Sequence, residues 1–548
     1  MLLADRLAVR RSPALRLPSM PAGPAVFSLA AAAYLALAAI LTFGFHVVSA
    51  QAMGIVANAS YVLFSRDPHV AAIGFVGSPL PSLLTLPLLP LRGIWPALTE
   101  VGFAACIVSA LFMAAAVYQL HQMLREGGVG RIPRLALSLI FAVHPLVIFA
   151  AASGAAEASY VFFLLLAARH LARWLRDGNT VGAMVAGFAL AGAYLARYDA
   201  ALAGVTAVLL VGVISFRRAP DRRLATGFCD ALIVGLPLAA TAGLWAAAAW
   251  LVTGNAFPQL ASSYGYLAQL DALRAHSATP GSAVSSPQQS IVQVLALEPA
   301  LIAAAVILLV SWLRGRSRAS LAGLGLLGPL VLAIVAAGLA GWTFPWLRQF
   351  IVVVPLVTLL VGLGLVSGRR SWVAPVAACL MLLVALPTTV GAMWTARLGQ
   401  EEMPVLRTIA GRPTTGTTSA SVLPERVAQY LDGQHLKDGS VLIDSFTGFP
   451  VILASKAPHQ FLITSDRDFG LALGSPRAFG VQYLLVPSPT DQNVLGSLDA
   501  LNKAYPSLFQ SGSASGALVR EFLGPGKRPL WRLYQVSAIE NQLRPNGA

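Results

Sequence analysis

Residues 346–370 read WLRQFIVVVPLVTLLVGLGLVSGRR, in which twenty uncharged and mostly apolar residues separate Arg348 from Arg369 and Arg370. A helix needs about 20 such residues to cross the hydrocarbon core of a bilayer. Cytoplasmic loops of membrane proteins carry an excess of Lys and Arg. This stretch therefore predicts a membrane-spanning helix with the adjacent pair of arginines on the cytoplasmic side.

Similar segments recur along the chain and predict a polytopic α-helical membrane protein of about eleven spans. The predicted spans are 25–47, 101–123, 133–152, 157–174, 180–196, 200–216, 227–252, 291–313, 320–340, 346–367 and 372–395. The first is longer than the apolar region of a signal peptide, and no small-residue cleavage site follows it.

Composition supports the same class of protein. The chain has 548 residues, of which 57% are hydrophobic and only 11% charged, and its mean hydropathy is +0.71. These values exclude a soluble globular protein and a disordered chain. The net charge of +15 lies in short clusters between apolar segments, which indicates membrane topology rather than nucleic-acid binding. Three cysteines predict neither a disulfide framework nor a metal site. Few lysines and abundant Ala, Gly and Pro favour a bacterial source.

The arginines predict the orientation. With a cytoplasmic N-terminus, nineteen arginines lie in the cytoplasmic segments and six on the opposite side. The six are Arg66, Arg92, Arg197, Arg274, Arg348 and Arg397. This asymmetry predicts a plasma (inner) membrane protein with its N-terminus inside and, because the number of spans is odd, its C-terminus outside.

Three regions follow from this topology. Residues 1–24 form a cytoplasmic tail, 25–398 a transmembrane domain, and 399–548 an extracytoplasmic domain in which charge becomes ordinary and apolar runs shorten. The last region alternates helices near 425–431, 469–473 and 495–504 with strands near 441–444, 460–464, 483–487, 517–522 and 530–536. The fold class is therefore a helical membrane bundle with a C-terminal α/β domain.

Two outer loops are long. Residues 48–100 are proline-broken and predict short interfacial helices, although an additional membrane-embedded helix remains an alternative. Residues 253–290 are polar and contain Tyr264, Tyr266 and His276, which suggests a flap over a site.

Acids at the outer membrane boundary are candidate functional residues, because a carboxylate there is costly unless it is hydrated or paired. There are six: Asp67, Glu100, Glu157, Asp199, Asp271 and Glu298. Asp67 lies in Ser65-Arg-Asp-Pro-His69, where the alternative is a loop salt bridge or helix cap. Glu157 lies in a tight link of small residues, where it could instead stabilise the helix dipole. Glu126, Asp177, Asp221 and Asp230 are interpreted as solvated loop charges.

Four polar residues have two interpretations each. Arg197 and Asp199 either bind a ligand or pair with each other. Arg348 is either an interfacial anchor near Trp342 and Trp346 or a clamp for a phosphate, which suits a guanidinium fork. A histidine on an apolar helix, such as His144, is more often packed in a core than a ligand.

These strings and the topology resemble the GT-C superfamily of integral-membrane glycosyltransferases, in particular glycosyltransferase family 39. The resemblance rests on the first-loop acid, on the third-to-fourth-span link, on two short arginine motifs and on the final strand. The corresponding segments are Ser65–His69, His144-Pro145 to Glu157, Ala196-Arg-Tyr-Asp199, Arg348-Gln-Phe350 and Trp531–Val536. The chain departs from the family in having a single acid at position 67, which leaves a need for a divalent metal open.

The resemblance implies an inverting hexosyl- or pentosyltransferase that moves a sugar from a polyprenyl-phosphate donor to an extracytoplasmic glycan, lipid or protein. It implies Asp67 as the catalytic base and Arg348 as the ligand of the donor phosphate. Substrate-binding roles are implied for Glu157, Arg66, His69, Arg197 and Asp199. Two other classes stay open: a transporter or flippase of lipid-linked intermediates, and an assembly protein. Convergence of these residues in one outward cavity would favour the enzyme, and a midplane site would favour the transporter.

Overall fold

The structure is a computed structural model that describes residues 22–275, 286–313, 318–366, 372–412, 419–489, 494–511, 516–524 and 527–536. Up to residue 409 the described chain is helical. The helices are α1 (Ala22–Ala39), α2 (Ala50–Phe64), α3 (Pro79–Thr85), α4 (Ala97–Glu100), α5 (Phe103–Glu126), α6 (Arg131–Ala142), α7 (Pro145–Ala152), α8 (Glu157–Asp177), α9 (Thr180–Ala196), α10 (Ala200–Arg218), α11 (Arg223–Thr253), α12 (Pro258–Ala261), α13 (Tyr266–Ala275), α14 (Pro287–Leu297), α15 (Leu301–Leu313), α16 (Arg318–Leu339), α17 (Val353–Val361), α18 (Val373–Leu383), α19 (Ala385–Trp394) and α20 (Glu402–Ile409).

Six helical segments among the described residues are long and apolar enough to cross a membrane, and the number rises to eight if two bent helix pairs each count as one span. The six are Gly23–Gly44, Phe103–Glu126, Ala200–Arg218, Arg223–Thr253, Leu347–Val366 and Val373–Trp394. The other predicted spans are also helical. However, α9 has only 17 residues, and α8 carries three arginines as well as Glu157. The structure thus supports six to eight spans, and the count of eleven stays a prediction.

Proline accounts for both bent pairs, because it removes a backbone donor and disfavours a helical conformation in the preceding residue. The axis turns by 62° between α6 and α7, where Pro145 begins the second helix. It turns by 69° between α14 and α15, where Pro299 follows Glu298.

The outside of the bundle is apolar. Large side chains such as Phe188, Leu209, Leu244 and Leu251 are exposed. In water such a surface would be unfavourable, whereas lipid solvates it. The protein is therefore a membrane protein.

The first long loop is built from short helices, as predicted. After α2 come the 3₁₀ helix Val70–Ile73, α3, the 3₁₀ helix Leu86–Gly93 and α4. Helix α2 packs against both the bundle and the C-terminal part of the chain, and it connects the two.

The C-terminal part contains a five-stranded sheet whose strands lie where the sequence predicts them. Its elements are α21 (Ser419–Asp432), β1 (Val441–Leu442), α22 (Ser445–Ala454), β2 (Phe461–Leu462), α23 (Phe469–Gly474), β3 (Tyr483–Pro487), α24 (Ala500–Ala504), α25 (Leu508–Ser511), β4 (Gly516–Leu523) and β5 (Pro529–Val536). The strand order is β2-β1-β3-β5-β4. Strand β1 pairs in parallel with β2 and with β3, whereas β5 pairs antiparallel with both β3 and β4. The predicted domain boundary near 399 stays a prediction.

One group of charges differs from its sequence-based interpretation. Glu126 is not a solvated loop charge, because Arg169 and Arg173 donate hydrogen bonds of 2.6–2.9 Å to its carboxylate and leave 18% of its side chain exposed. These residues join the ends of α5 and α8, at the opposite end of α8 from Glu157.

Candidate functional site

Glu157 is the first residue of α8 and is 2% exposed. The link before it contains Gly154 at φ +73°, and a Cβ there would lie 2.5 Å from the Cβ of Ala52. Glycine therefore allows α2 to approach this link closely. The approach brings Gln51 to the carboxylate, where its Nε2 lies 3.4 Å from Oε2 of Glu157.

Arg197 follows the end of α9 and binds the same carboxylate. Its Nη1 donates a 3.0 Å hydrogen bond to Oε1 of Glu157. Its Nε and Nη2 lie 3.3 and 2.9 Å from the two carboxylate oxygens of Asp199, and Nη2 also donates to Oε1 of Gln349 at 2.5 Å. Of the two interpretations that the sequence left open, the structure shows the pairing of Arg197 with Asp199, and Glu157 and Gln349 extend it into a network. The substrate-binding role of both residues stays a prediction.

Arg348 completes the cluster from the 3₁₀ helix Leu347–Phe350. Its Nη1 lies 3.9 Å from Oε1 of Glu157 and donates to Oε1 of Gln51. Its Nε lies 2.8 Å from Oε2 of Glu401, an ion pair without the alignment of a hydrogen bond. The guanidinium carbon lies 4.4 Å from the centre of the Trp346 ring, which holds it by a cation–π contact.

Sequence reasoning did not select Glu401 and Glu402. Burial raises the pKa of Glu401 although Arg348 opposes the change. Burial and the charge of Glu401 raise the pKa of Glu402 to about 8, and neither of its carboxylate oxygens has a partner among the described residues. The available signal was an adjacent pair of acids just beyond the last predicted span. Gln51 and Gln349 were missed because neutral amides carry no such signal.

The residues of this cluster lie in or beside the terminal turns of helices. Glu157 begins α8, Arg197 follows α9, Asp199 precedes α10, and Glu401 directly precedes α20. The cluster thus forms at one end of the bundle, with two guanidiniums among three carboxylates. The contacts of Arg348 described above use Nε and Nη1.

Asp67 does not belong to this cluster. Its carboxylate lies 3.7 Å from Nε of Arg467 and 3.8 Å from Nδ1 of His69. Gln51 and Asp67 lie at opposite ends of α2, and 15 helical residues span about 22 Å. Asp67 and the residues around Glu157 thus lie beyond opposite ends of α2, and the predicted role of Asp67 as the base stays a prediction.

Arg66 and His69 are likewise separated from the cluster. Nε of Arg66 donates to Oδ2 of Asp466 at 3.2 Å, and its Nη2 donates to Asp468. His69 Nδ1 lies 2.7 Å from the backbone oxygen of Asp67. Arg66 attaches the first outer loop to the chain after β2, and His69 contacts the backbone of Asp67. Their substrate-binding roles stay predictions.

The remaining candidates lie elsewhere. His144 is buried, with Nε2 3.3 Å from the backbone oxygen of Leu297, which agrees with a core histidine. Asp271 pairs with Arg274 on an exposed surface. Glu100 is exposed at the end of α4, and Glu298 is buried at the bend between α14 and α15.

The described part of the second outer loop contacts the C-terminal part of the chain beside α22 and α24. Tyr264 donates a 2.8 Å hydrogen bond to Oδ2 of Asp444, and Lys503 donates to the backbone oxygen of Ser263 at 3.3 Å. Tyr266 donates to the backbone oxygen of Trp342. His276 lies outside the described residues. Among the described residues, no group of three or more His, Cys, Asp or Glu side chains could hold a metal ion.

No protein-family model and no curated protein matches this sequence. Among solved structures, the chain is similar to ArnT from Cupriavidus metallidurans, determined bound to undecaprenyl phosphate, with 14% identity and a TM-score of 0.54 over 94% of this chain and 98% of that one. It is also similar to the archaeal oligosaccharyltransferase AglB from Archaeoglobus fulgidus, with 11% identity and a TM-score of 0.46 over 96% of this chain and 75% of that one. The chain therefore shares the fold of the ArnT structure, which agrees with the resemblance found in the sequence.

Proposed function

We propose that this GT-C-fold protein is a glycosyltransferase of the plasma membrane that transfers a hexose or pentose from a polyprenyl-phosphate donor to an extracytoplasmic acceptor. The observation that carries the proposal is the convergence of Arg197 and Arg348 on Glu157 at helix ends. The fold adds support, because the similar ArnT structure contains undecaprenyl phosphate. In this proposal the cluster faces the outside, as the arginine asymmetry predicts.

Arg348 is the ligand of the donor phosphate. A guanidinium suits a phosphate because its parallel donors match two phosphate oxygens. Trp346 and the carboxylates of Glu157 and Glu401 orient the side chain before the donor arrives. Donors fixed in place where negative charge develops stabilise a transition state more than mobile water does. Arg348 would thus bind the donor and stabilise the departing phosphate.

Glu401 replaces Asp67 as the proposed base. About a third of its side chain is exposed, and it lies 2.8 Å from the arginine that would hold the phosphate. The raised pKa makes the Glu401 carboxylate a stronger base, which favours proton acceptance. The acceptor hydroxyl oxygen would form a bond to the anomeric carbon while the bond from that carbon to the phosphate oxygen breaks. The proton passes to Glu401, the electron pair leaves with the polyprenyl phosphate, and the configuration inverts.

Arg197, with Glu157, Asp199 and Gln349, would bind the sugar or the acceptor. The side chain of Asp199 is 33% exposed, so one face of this network is accessible. The transporter alternative requires charges within helices near the bilayer midplane. Location of the whole cluster at helix ends favours the enzyme over that alternative.

The deciding experiment purifies the full chain with its native lipids and identifies retained polyprenyl phosphate by mass spectrometry. Wild type and Arg274→Ala, which changes an exposed outer-loop arginine, should retain it, and Arg348→Ala should not. Transfer is then measured in proteoliposomes with radiolabelled polyprenyl-phosphate hexoses and pentoses. Equal retention by Arg348→Ala, or no retention by wild type, would contradict the proposal.

A further inference from the structure

Tyr266, the first residue of α13, connects the second outer loop to the segment that leads to Arg348. Its hydroxyl donates to the backbone oxygen of Trp342. Its ring meets the Phe344 ring edge to face, with 5.0 Å between ring centres and 74° between ring planes. Trp342 lies 76 residues further along the chain, so only the folded protein makes these contacts.

The aromatic contacts continue from Phe344 to Arg348. Phe344 is 5% exposed, and its ring stacks on that of Trp346 with 4.4 Å between centres and 15° between planes. The guanidinium carbon of Arg348 lies 4.4 Å from the centre of the same Trp346 ring. Edge-to-face and stacked pairs are both favourable arrangements of aromatic rings. Tyr266, Phe344, Trp346 and Arg348 thus form an aromatic series in which each side chain contacts the next.

The aromatic series restricts the motion of Arg348. Trp346 contacts Phe344 and the guanidinium at once, so rotation of its side chain would break at least one of the two contacts. Phe344 is restrained in the same way by Tyr266. A side chain that is already held in its binding orientation loses less entropy when a ligand arrives, which raises affinity. Loss of the ring at the far end of the series should therefore weaken the binding of an anion by Arg348.

Tyr266 is itself held in place, because the chain just before it is attached to the C-terminal part. The hydroxyl of Tyr264 donates a 2.8 Å hydrogen bond to Oδ2 of Asp444, and its ring centre lies 5.0 Å from that of Phe446. Nε2 of Gln269 donates to the backbone oxygen of Tyr264 at 2.8 Å and ties this turn to α13. The start of α13 therefore presents the Tyr266 ring in a fixed position.

Tyr266 also lies close to the Arg197 network. Burial raises the pKa of its phenol, and the charges of Arg197 and Asp199 shift that pKa in opposite directions. The hydroxyl nevertheless donates to the backbone oxygen of Trp342 rather than to either charged side chain. The ring of Tyr266, and not its hydroxyl, is therefore the part that is connected to Arg348.

We propose that Tyr266 positions Arg348 through the two rings that lie between them. The guanidinium is thereby held in the orientation that binds the donor phosphate, so the second outer loop contributes to donor affinity without touching the phosphate. The inference rests on the proposed function, in which Arg348 is the phosphate ligand. Because the connection runs through rings, phenylalanine at position 266 should serve nearly as well as tyrosine.

The test measures the Kd for undecaprenyl phosphate with the full chain in detergent, by thermal shift. Tyr266→Ala should raise this Kd about three- to tenfold, the effect expected when one aromatic contact is lost. Tyr266→Phe, which keeps the ring, should stay within about twofold of wild type. In an Arg348→Lys background Tyr266→Ala should change the Kd less than about twofold, because residues that act through one group have non-additive effects. Tyr430→Ala is the matched control, since Tyr430 makes a similar edge contact with Phe522 at 5.7 Å.

A wild-type Kd in Tyr266→Ala would overturn the inference, as would equally weak binding by Tyr266→Phe and Tyr266→Ala. A full effect of Tyr266→Ala in the Arg348→Lys background would also overturn it, because Tyr266 would then act independently of Arg348. If Tyr266→Ala fails to fold, Phe344→Leu takes its place with the same expected results, because it breaks the aromatic series one ring later and keeps an apolar side chain.

A second measurement needs no donor and separates this inference from the proposed function. The full chain is labelled with fluorotryptophan, and the fluorine NMR signal of Trp346 is identified by its loss in Trp346→Phe. Tyr266→Ala and Arg348→Lys should both shift this signal, whereas Tyr430→Ala should not. An unchanged signal in Tyr266→Ala would overturn the inference even if Arg348 binds the donor. A shifted signal without any binding of undecaprenyl phosphate by wild type would support the positioning of Arg348 and contradict the proposed function instead.

Discussion

Nε2 of Gln51 lies 3.4 Å from Oε2 of Glu157, although 106 residues separate the two positions. The contact joins the start of α2 to the start of α8, and Arg348 donates to the same amide. A neutral amide thus holds the carboxylate and the guanidinium together and adds no charge to a cluster that already contains three carboxylates.

The close approach at Gly154 should be required for this contact. Gly154→Ala places a methyl group 2.5 Å from the Cβ of Ala52 and also strains a backbone at φ +73°. We expect a loss of more than about 1 kcal/mol in stability and a loss of donor binding. Gly178→Ala is the control, because Gly178 has φ +68° but nothing within 4 Å of an added Cβ. Equal effects of the two changes would show that only backbone strain matters.

The shape of the Arg348 guanidinium should matter as well as its charge. Arg348→Lys keeps the charge but loses the parallel donors and the stacking on Trp346. We expect the Kd for undecaprenyl phosphate to rise at least about tenfold, measured by tryptophan fluorescence or thermal shift. Arg274→Lys should leave it unchanged. A wild-type Kd in Arg348→Lys would remove Arg348 from the phosphate site.

The choice of base can be decided by two isosteric substitutions. Glu401→Gln removes the proton acceptor beside Arg348 and should lower kcat at least about a hundredfold, the low end for a general base. Asp67→Asn should keep transfer within about threefold, because Asp67 lies at the far end of α2. The opposite result, with Asp67→Asn inactive and Glu401→Gln active, would restore the sequence-based assignment.

Glu402 should make stability depend on pH. Its pKa of about 8 in the folded protein exceeds the ordinary value of 4.5, so the folded state holds a proton that the unfolded state releases between these values. The stability of the wild type should therefore fall as the pH rises from about 5 to 8. In Glu402→Gln, Tm should fall less between pH 5 and pH 8 than it does in wild type. The same pH dependence in both proteins would show that Glu402 is not the titrating group.

Arg66 should hold the first outer loop against the C-terminal part. Arg66→Ala leaves the buried carboxylate of Asp466 without its ion pair and should cost about 1–3 kcal/mol. Limited proteolysis between residues 399 and 440 should accelerate. Arg467→Ala is the control, because the Arg467 side chain is 74% exposed and lies 3.7 Å from Asp67. Equal proteolysis of the two variants would contradict this role.

The sequence by itself determined the class of protein, the positions of the helices and the strands of the C-terminal sheet. Apolar runs and arginine clusters decide where helices cross a membrane, and period-two patterns decide where strands form, because both follow from local solvation of the chain. The pairing of Arg197 with Asp199 was also predictable from local sequence, because only one residue separates them.

Only the tertiary structure decided which charges meet. Gln51, Glu157, Arg197, Arg348 and Glu401 come from five separate parts of the chain, and their contacts depend on how the helices pack. Asp67 had the more conspicuous motif, but α2 places it about 20 Å from that cluster. Hydropathy is a property of each segment, whereas the distance between two side chains depends on every helix that lies between them.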